Sequence, residues 1–350
     1  MIPRNEYPRP QLVRDNWLCL NGEWQFEIDN SKSGAERGLY EKDRTLEGRI
    51  TVPFCPESRL SGVGHRDFMA CVWYKRTLEI PDEWKGKRIL LHFGAVDYHA
   101  TVYINGKRAC EHRGGYTPFC TDITDLLTGE GDTVTLSASD DLRSHLQPAG
   151  KQSSRYESYG CFYTRTTGIW QTVWLEAVPK SYVRNLRITP DSVTVGCVLE
   201  GDFRGTDLSA RVLFDGREVG SAKAVNIGAR TVDFAVSLSE RHLWDVGQGN
   251  LYDIVFDLSR GGEVLDHVGS YFGLRCVSLD GGKFTLNGRV VFGRWVLDQG
   301  FYPDGVYTAP TDDDLRSDIV NSMRLGFNGA RLHEKVFEPR FLYWADRLGY

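Results

Sequence analysis

Gly86-Lys87-Arg88-Ile89-Leu90-Leu91-His92-Phe93-Gly94-Ala95-Val96-Asp97-Tyr98-His99-Ala100-Thr101-Val102-Tyr103-Ile104-Asn105-Gly106-Lys107 runs on through Gly114-Gly115-Tyr116-Thr117-Pro118-Phe119 to Thr121-Asp122-Ile123. From Tyr98 the alternation is strict. Tyr98, Ala100, Val102 and Ile104 fall on one face, and His99, Thr101 and Tyr103 on the other, the period of a strand with one side in a core. Asn105-Gly106 tolerates positive φ at both centres of a type I′ turn, so residues 98–111 are predicted to form an antiparallel hairpin.

Working outward, Asn21-Gly22 between residues 17–20 and 23–28 is predicted to be a second hairpin turn, with Trp24, Phe26 and Ile28 pointing one way. Residues 31–49 are polar and mixed and read as a loop. Residues 71–78 and 134–138 read as strands, 140–160 as a long irregular loop, and Thr166-Thr167-Gly168-Ile169-Trp170-Gln171-Thr172-Val173-Trp174-Leu175-Glu176 as a closing strand. About eight or more short strands in this order make a jelly roll. From Ser181 the strands shorten and turns recur, as in an immunoglobulin-like sandwich without a disulfide. After Gly281-Gly282, residues 290–297 read as a nearly unbroken apolar strand. Thr311 and Asp314 are spaced as a capping box, Leu315, Ile319 and Met323 recur every four residues, and Gly326 ends the helix. Residues 327–332 read as a strand, and Pro339 opens a second helix that Gly349 stops. Strand, helix, strand, helix is the beginning of a (β/α) array.

These phrases together resemble glycoside hydrolase family 2, the β-galactosidase and β-glucuronidase group. The resemblance implies three parts: a sugar-binding jelly roll at 1–180, an immunoglobulin-like β-sandwich at 181–277, and the first two βα units of a TIM barrel at 278–350. The expected fold class is therefore mainly β, a jelly roll followed by a second sandwich and then a truncated barrel start. It also implies hydrolysis of β-linked sugars by a retaining mechanism with two carboxyl groups. In the family both are Glu on later barrel strands, so no catalytic residue is expected before residue 350.

What remains are candidate substrate contacts. Active sites of such barrels lie at the C-terminal ends of the strands. Asp298 follows the first strand, and Arg331, His333 and Glu334 close the second. The family pattern there is Asn-x-x-Arg-x-Ser-His. This chain has Asn328-Gly329-Ala330-Arg331-Leu332-His333-Glu334, so Arg331 carries over in register, while the family His aligns with Glu334 or, with one residue dropped, with His333. An Asp that relatives place about six residues before the Gly-Ile pair is here Phe162, beside Cys161. Arg165 stands as its replacement sugar contact, with a surface ion pair as the other reading. Tyr116, Trp73 and Trp170 are large strand aromatics that read as core residues before sugar platforms. His65, Arg66 and Asp67 lie in a loop that approaches the site in relatives.

Bulk properties bound the partners. A net charge of -5 lacks the basic field that a nucleic acid would require. No apolar run reaches the length of a membrane span, and the first ten residues hold no apolar targeting core. Eight scattered cysteines without a Cys-x-x-Cys spacing suit reduced thiols in a cytoplasm. The expected partner is a carbohydrate, with no cofactor. Two βα units leave a sheet edge open, so association into a homo-oligomer, or disorder, is expected through residues 284–350. A non-catalytic carbohydrate-binding or scaffolding protein stands beside the hydrolase reading. An adhesion-type β-sandwich is disfavoured by the absent signal peptide.

Overall fold

The computed structural model describes residues 2–350. Its first 180 residues form two facing antiparallel sheets. The larger runs Gly48–Val52, Gly22–Ile28, Cys71–Thr77, Thr133–Ser139, His99–Ile104, Lys107–Arg113, and the smaller Trp17–Cys19, Val173–Val178, Arg88–Phe93, Phe119–Asp122. Between them lies one core in which Trp24, Phe26, Tyr74, Leu91, Phe93, Val102 and Leu136 are buried. The hairpin at Asn105-Gly106 is as predicted: φ is 51° at Asn105 and 79° at Gly106, and Ile104 pairs with Lys107. Ala100, Val102 and Ile104 are buried, and the intervening residues only partly so.

Residues 31–49 cover the outer face of Cys71–Thr77, where Leu39 and Leu46 pack on Cys71 and Trp73. Beneath the same cover, Lys75 donates from Nζ to the carbonyls of Glu41 (2.6 Å) and Arg44 (2.5 Å). The central strand is therefore buried on both faces, and burial pushes the Lys75 ammonium down to about 8.

Asn21-Gly22 does not make the predicted hairpin. Trp17–Cys19 pairs with Val173–Val178 in one sheet, and Gly22–Ile28 with Cys71–Thr77 in the other. The buried Asn21 amide decides this. It donates to the carbonyls of Pro3 (3.1 Å) and Arg4 (2.9 Å) and to Thr172 Oγ1, and its Oδ1 accepts from the Val173 amide at 3.1 Å. These long-range partners pin the chain where it crosses between sheets.

The second sandwich packs Ser181–Thr189, Thr194–Gly201 and Thr231–Ala235 against Arg217–Ile227, Thr206–Phe214, Tyr252–Arg260 and Glu263–Phe272. Its core is Val195, Cys197, Leu199, Leu208, Val212, Ile254, Phe256 and Val268. No α-helix occurs among the described residues before 312.

After a meander of Val277–Asp280, Lys283–Leu286 and Arg289–Val290, two strands pair in parallel, Trp295–Asp298 with Gly329–Leu332. The single apolar strand expected at 290–297 is thus two pieces, interrupted over residues 291–294. The crossover is helix α1 (Asp312–Arg324), and α2 (Pro339–Leu348) follows. Both predicted caps are present. The Thr311 hydroxyl accepts from the Asp314 amide while Asp314 reaches back to the Thr311 amide, and Gly349 is left-handed at the end of α2. Thr311→Ala is expected to lower the stability of α1 by about 1 kcal/mol, read as faster amide exchange confined to that helix.

Residues 2–16 have a role that no local pattern announces. Arg4 donates to Glu338 Oε1 (3.1 Å) and Oε2 (2.6 Å) and to the Ala309 carbonyl, reaching the C-terminal part. Arg14 forks onto Asp266 at 3.0 and 2.8 Å in the second sandwich. Tyr7, Arg9 and Arg14 all bind the buried Glu176 of the first. One short strap therefore ties the three parts together.

Candidate functional site at the ends of the parallel strands

Asp298 pairs with Leu332 at the C-terminal ends of the parallel strands, and the His333 amide donates to the Asp298 carbonyl at 2.8 Å. The Asp298 side chain accepts from the Gly300 amide at 2.8 Å and so turns the chain away from the strand. Gln299 Nε2 donates to His333 Nδ1 (3.2 Å), which places the proton of a neutral ring on Nε2, 3.6 Å from Glu334 Oε1. Glu334 holds a left-handed backbone (φ 54°) and an exposed carboxylate. Asp298, His333 and Glu334 are thus brought together. Arg331 is exposed and pairs in register with Leu297, itself exposed on the open side of the two strands.

The loop of the first sandwich reaches this point. Lys151 Nζ lies 3.5 Å from Glu334 Oε2 and 5.0 Å from the Phe162 ring centroid. Tyr163 packs on Phe301 at 4.5 Å, and the Tyr116 hydroxyl meets that of Tyr307 at 3.2 Å. Gly150 has φ +55°, and a Cβ there would fall on the Glu334 carbonyl oxygen, so only glycine permits this approach.

Lys335, next to Glu334, is a residue that sequence reasoning missed, as is Lys151. Its ammonium is buried, donates to the carbonyls of Gly300 (2.5 Å) and Tyr307 (2.7 Å), and lies within 5.2 Å of the ring centroids of Trp170, Tyr307 and Phe337. Burial, partly offset by Glu338 and Asp298, pushes it down to about 7. It fixes the segment after the first strand beneath the site. Nothing local sets it apart in the sequence, where it stands in the mostly polar run His333-Glu334-Lys335-Val336-Phe337-Glu338.

Arg165 sits elsewhere and is no surface ion pair. It is 2% exposed, its guanidinium donates to the carbonyls of Ser153, Arg155, Arg66 and Tyr156, and it stacks on Phe68 at 4.2 Å. With Nη1 and Nη2 committed to backbone, it folds the 153–165 loop against residues 66–68. His65 and Asp67 belong to that same loop. Trp73 and Trp170 are core residues, their indoles donating to Asp29 (3.2 Å) and to the Gly115 carbonyl (2.7 Å).

Below the loop lie three buried carboxyls. Burial raises Glu57 to about 8 and Asp140 to about 6, and raises Asp97 well above the usual carboxylate range, with Asp140 adding to it. Gln152 donates to Asp97 (2.8 Å), and Thr167 and Gln147 donate to Asp140 (3.1 and 2.6 Å). Among the described residues no group of three or more His, Cys, Asp or Glu side chains could hold a metal ion. No helix there is long and apolar enough to cross a membrane.

The class defined by this geometry is a pair of β-sandwiches that place a loop over the ends of two parallel strands. Residues 18–179 match the family described as glycosyl hydrolases family 2, sugar binding domain, and residues 181–275 match glycosyl hydrolases family 2. The chain belongs to glycoside hydrolase family 2. It is 26% identical to a β-glucuronidase of Paenibacillus borealis over 81% of this chain and 49% of the relative. It is 27% identical to the β-glucuronidase of Felis catus over 98% of this chain and 57% of the relative. A β-galactosidase of Thermoanaerobacter pseudethanolicus is 24% identical over 81% of this chain and 39% of its own length. The crystal structure of Ruminococcus gnavus β-glucuronidase superposes with a TM-score of 0.80 at 22% identity, over 100% of this chain and 60% of that one, a likeness of fold. The chain spans about half the length of the curated relatives it matches.

Proposed function

We propose that the chain is the N-terminal part of a family 2 glycoside hydrolase that cleaves β-linked sugars by double displacement, with both catalytic carboxylates supplied beyond residue 350. In this reading residues 1–180, 181–277 and 278–350 are the jelly roll, the immunoglobulin-like sandwich and the first two βα units of a barrel. The carrying observation is the meeting of Asp298, His333 and Glu334 with Lys151 of the first sandwich at the C-terminal ends of the parallel strands, where barrel enzymes bind substrate. The greater length of the relatives supports it. So do the exposed Phe292, Trp295 and Leu297, an apolar face that further barrel strands, or a second copy of the chain, would cover. Eight free thiols fit a reducing compartment such as the cytoplasm.

A retaining glycosidase needs two carboxyl groups about 5–5.5 Å apart across the scissile bond, one protonated. Asp298 is turned onto the Gly300 amide and Glu334 is exposed beside Lys151, so neither meets that requirement and both are left as sugar contacts. The chain of 350 residues is expected to give no turnover on aryl β-galactoside, glucuronide, mannoside or glucoside. A chain extended through a full barrel is expected to hydrolyse at least one. Turnover by the short chain that survives Asp298→Asn and Glu334→Gln would sink the reading, and sugar binding without hydrolysis by the extended chain would favour a carbohydrate-binding protein instead.

A further inference from the structure

Residues 140–167 leave the first sandwich at Asp140, return at Thr167, and between these feet reach the C-terminal part. Gly150 lies against the Glu334 carbonyl, Lys151 Nζ is 3.5 Å from Glu334 Oε2, and Tyr163 packs on Phe301. Residues 154–158 are exposed. Much of what holds this loop to the sandwich runs through the three buried carboxyls. Gln147 and the Thr167 hydroxyl donate to Asp140, and the Thr167 amide donates to Glu57. Gln152 donates to Asp97 from Nε2, while its Oε1 accepts from the Thr166 amide at 2.8 Å. Glu57 Oε1 and Asp97 Oδ1 are buried without a partner among the described residues. Burial disfavours charge on all three acids. Asp140 repels Glu57, and both repel Asp97. The other titratable neighbours are Cys55 and Tyr74 beside Glu57, Tyr116 and Tyr307 beside Asp97, and Asp141 beside Asp140. Arg165 attracts Glu57 and Asp140, but its Nη1 and Nη2 donate to backbone. A negative charge beneath the loop therefore needs water, which reaches it when the loop lifts.

We infer that residues 141–166 form a proton-operated lid, closed on the strand ends while the carboxyls beneath it are protonated and lifted from Glu334 when they ionise. Closed, the loop shuts water away from Glu57. Open, the same carboxyl titrates in the ordinary carboxylate range. The closed form thus keeps a proton that the open form releases. Closure is fully favoured below the ordinary range and weakens as pH climbs toward 8, the value to which burial raises Glu57. One proton released on opening raises the opening equilibrium about tenfold per pH unit. Asp140, raised to about 6, steepens the rise below that pH. The wall that the first sandwich contributes to the strand ends is then assembled in mild acid and withdrawn in mild base, whatever binds there.

The test is amide exchange of the full 350-residue chain, each rate taken relative to that of an unstructured peptide at the same pH. The Thr166 and Thr167 amides, bonded to Gln152 and Glu57, report the lid, and the buried strand Thr133–Ser139 reports global unfolding. The lid amides are expected to lose about a hundredfold in protection between pH 5.5 and 7.5. They should stay less protected than the strand and be insensitive to dilute urea, the mark of a local opening. Glu57→Gln should hold lid protection nearly level above pH 6, and Asp140→Asn should lessen the loss only below it. Lid protection that is level with pH in the wild type overturns the inference. So do lid amides that exchange only together with the strand, and a loss that survives Glu57→Gln unchanged.

Discussion

Glu176→Gln is expected to destabilise the chain by about 3–5 kcal/mol, the usual cost of removing one partner from a buried ionic cluster. Glu176 is fully buried, and its oxygens accept from Tyr7, Arg9, Arg14 and the Trp174 indole, with His92 Nε2 at 3.4 Å. Burial alone would raise this carboxyl. Arg9, His92 and Arg14 outweigh it and hold the group well below the ordinary carboxylate range. Glutamine keeps the shape but loses the charge, and its NH₂ faces donors where an acceptor stood. Arg14 retains Asp266, but Arg9 has no second carboxylate among its hydrogen bonds. The lowered folded-state value means that the contribution is present above the unfolded carboxylate range and is lost only as pH falls through the folded one. The full effect is therefore expected at pH 7, read as the urea midpoint of the first unfolding transition. Glu240→Gln, which breaks the exposed pair with Arg217, is the control and should leave that midpoint in place. Equal midpoints for the two variants would refute the account of Glu176 as the hub of the N-terminal strap.

That hub marks where sequence reading stopped. Signals that act within a few residues were legible: the Asn105-Gly106 turn, the Thr311–Asp314 box, Pro339 at the start of α2 and Gly349 at its end. Each is a backbone requirement met by a neighbour. The same turn chemistry failed at Asn21-Gly22 because partners 151 and 152 residues away took the Asn21 amide. The strap was invisible for the same reason. Arg14 and Asp266 are 252 residues apart, and nothing local distinguishes Arg14 from a surface arginine. At the site, the strand ends could be placed from the βα pattern, so Asp298, His333 and Glu334 were found together. Lys151 and Lys335 were not singled out, since their roles depend on a loop crossing from another part of the chain. Arg165 was noticed, but its burial among carbonyls follows from how the 153–165 loop closes, which no periodicity encodes.

The buried carboxyls give the second large effect, and it runs against the usual acid lability of proteins. Glu57 Oε2 accepts from the Thr167 amide at 3.2 Å, while Oε1 has no protein partner. Asp140 adds repulsion to the dominant effect of burial, and together they raise the group to about 8. Arg165, Asp97, Tyr74 and Cys55 are its other titratable neighbours; the Arg165 guanidinium attracts the carboxylate but, hydrogen-bonded to backbone carbonyls instead, does not outweigh burial. With the folded-state value raised, the folded chain keeps a proton that the unfolded chain releases. Stability is then fully present below the unfolded carboxylate range and is lost as pH climbs toward 8. One proton corresponds to about 1.4 kcal/mol per pH unit, so wild-type stability should fall by about 2–3 kcal/mol between pH 5.5 and 7.5 from Glu57 alone. Lys335, lowered to about 7, begins to act with the opposite sign in the upper part of this window, and Lys75, lowered to about 8, does so above it. His92, which burial lowers, opposes the trend below its ordinary value. The difference between wild type and Glu57→Gln isolates the carboxyl, because glutamine mimics the protonated acid and cannot ionise. Urea midpoints of the two proteins should converge near pH 5 and separate steadily toward pH 8, with the variant the more stable at neutral pH. Parallel curves across that range would mean that Glu57 ionises normally in the fold, through water or a cation that reaches its unpartnered oxygen.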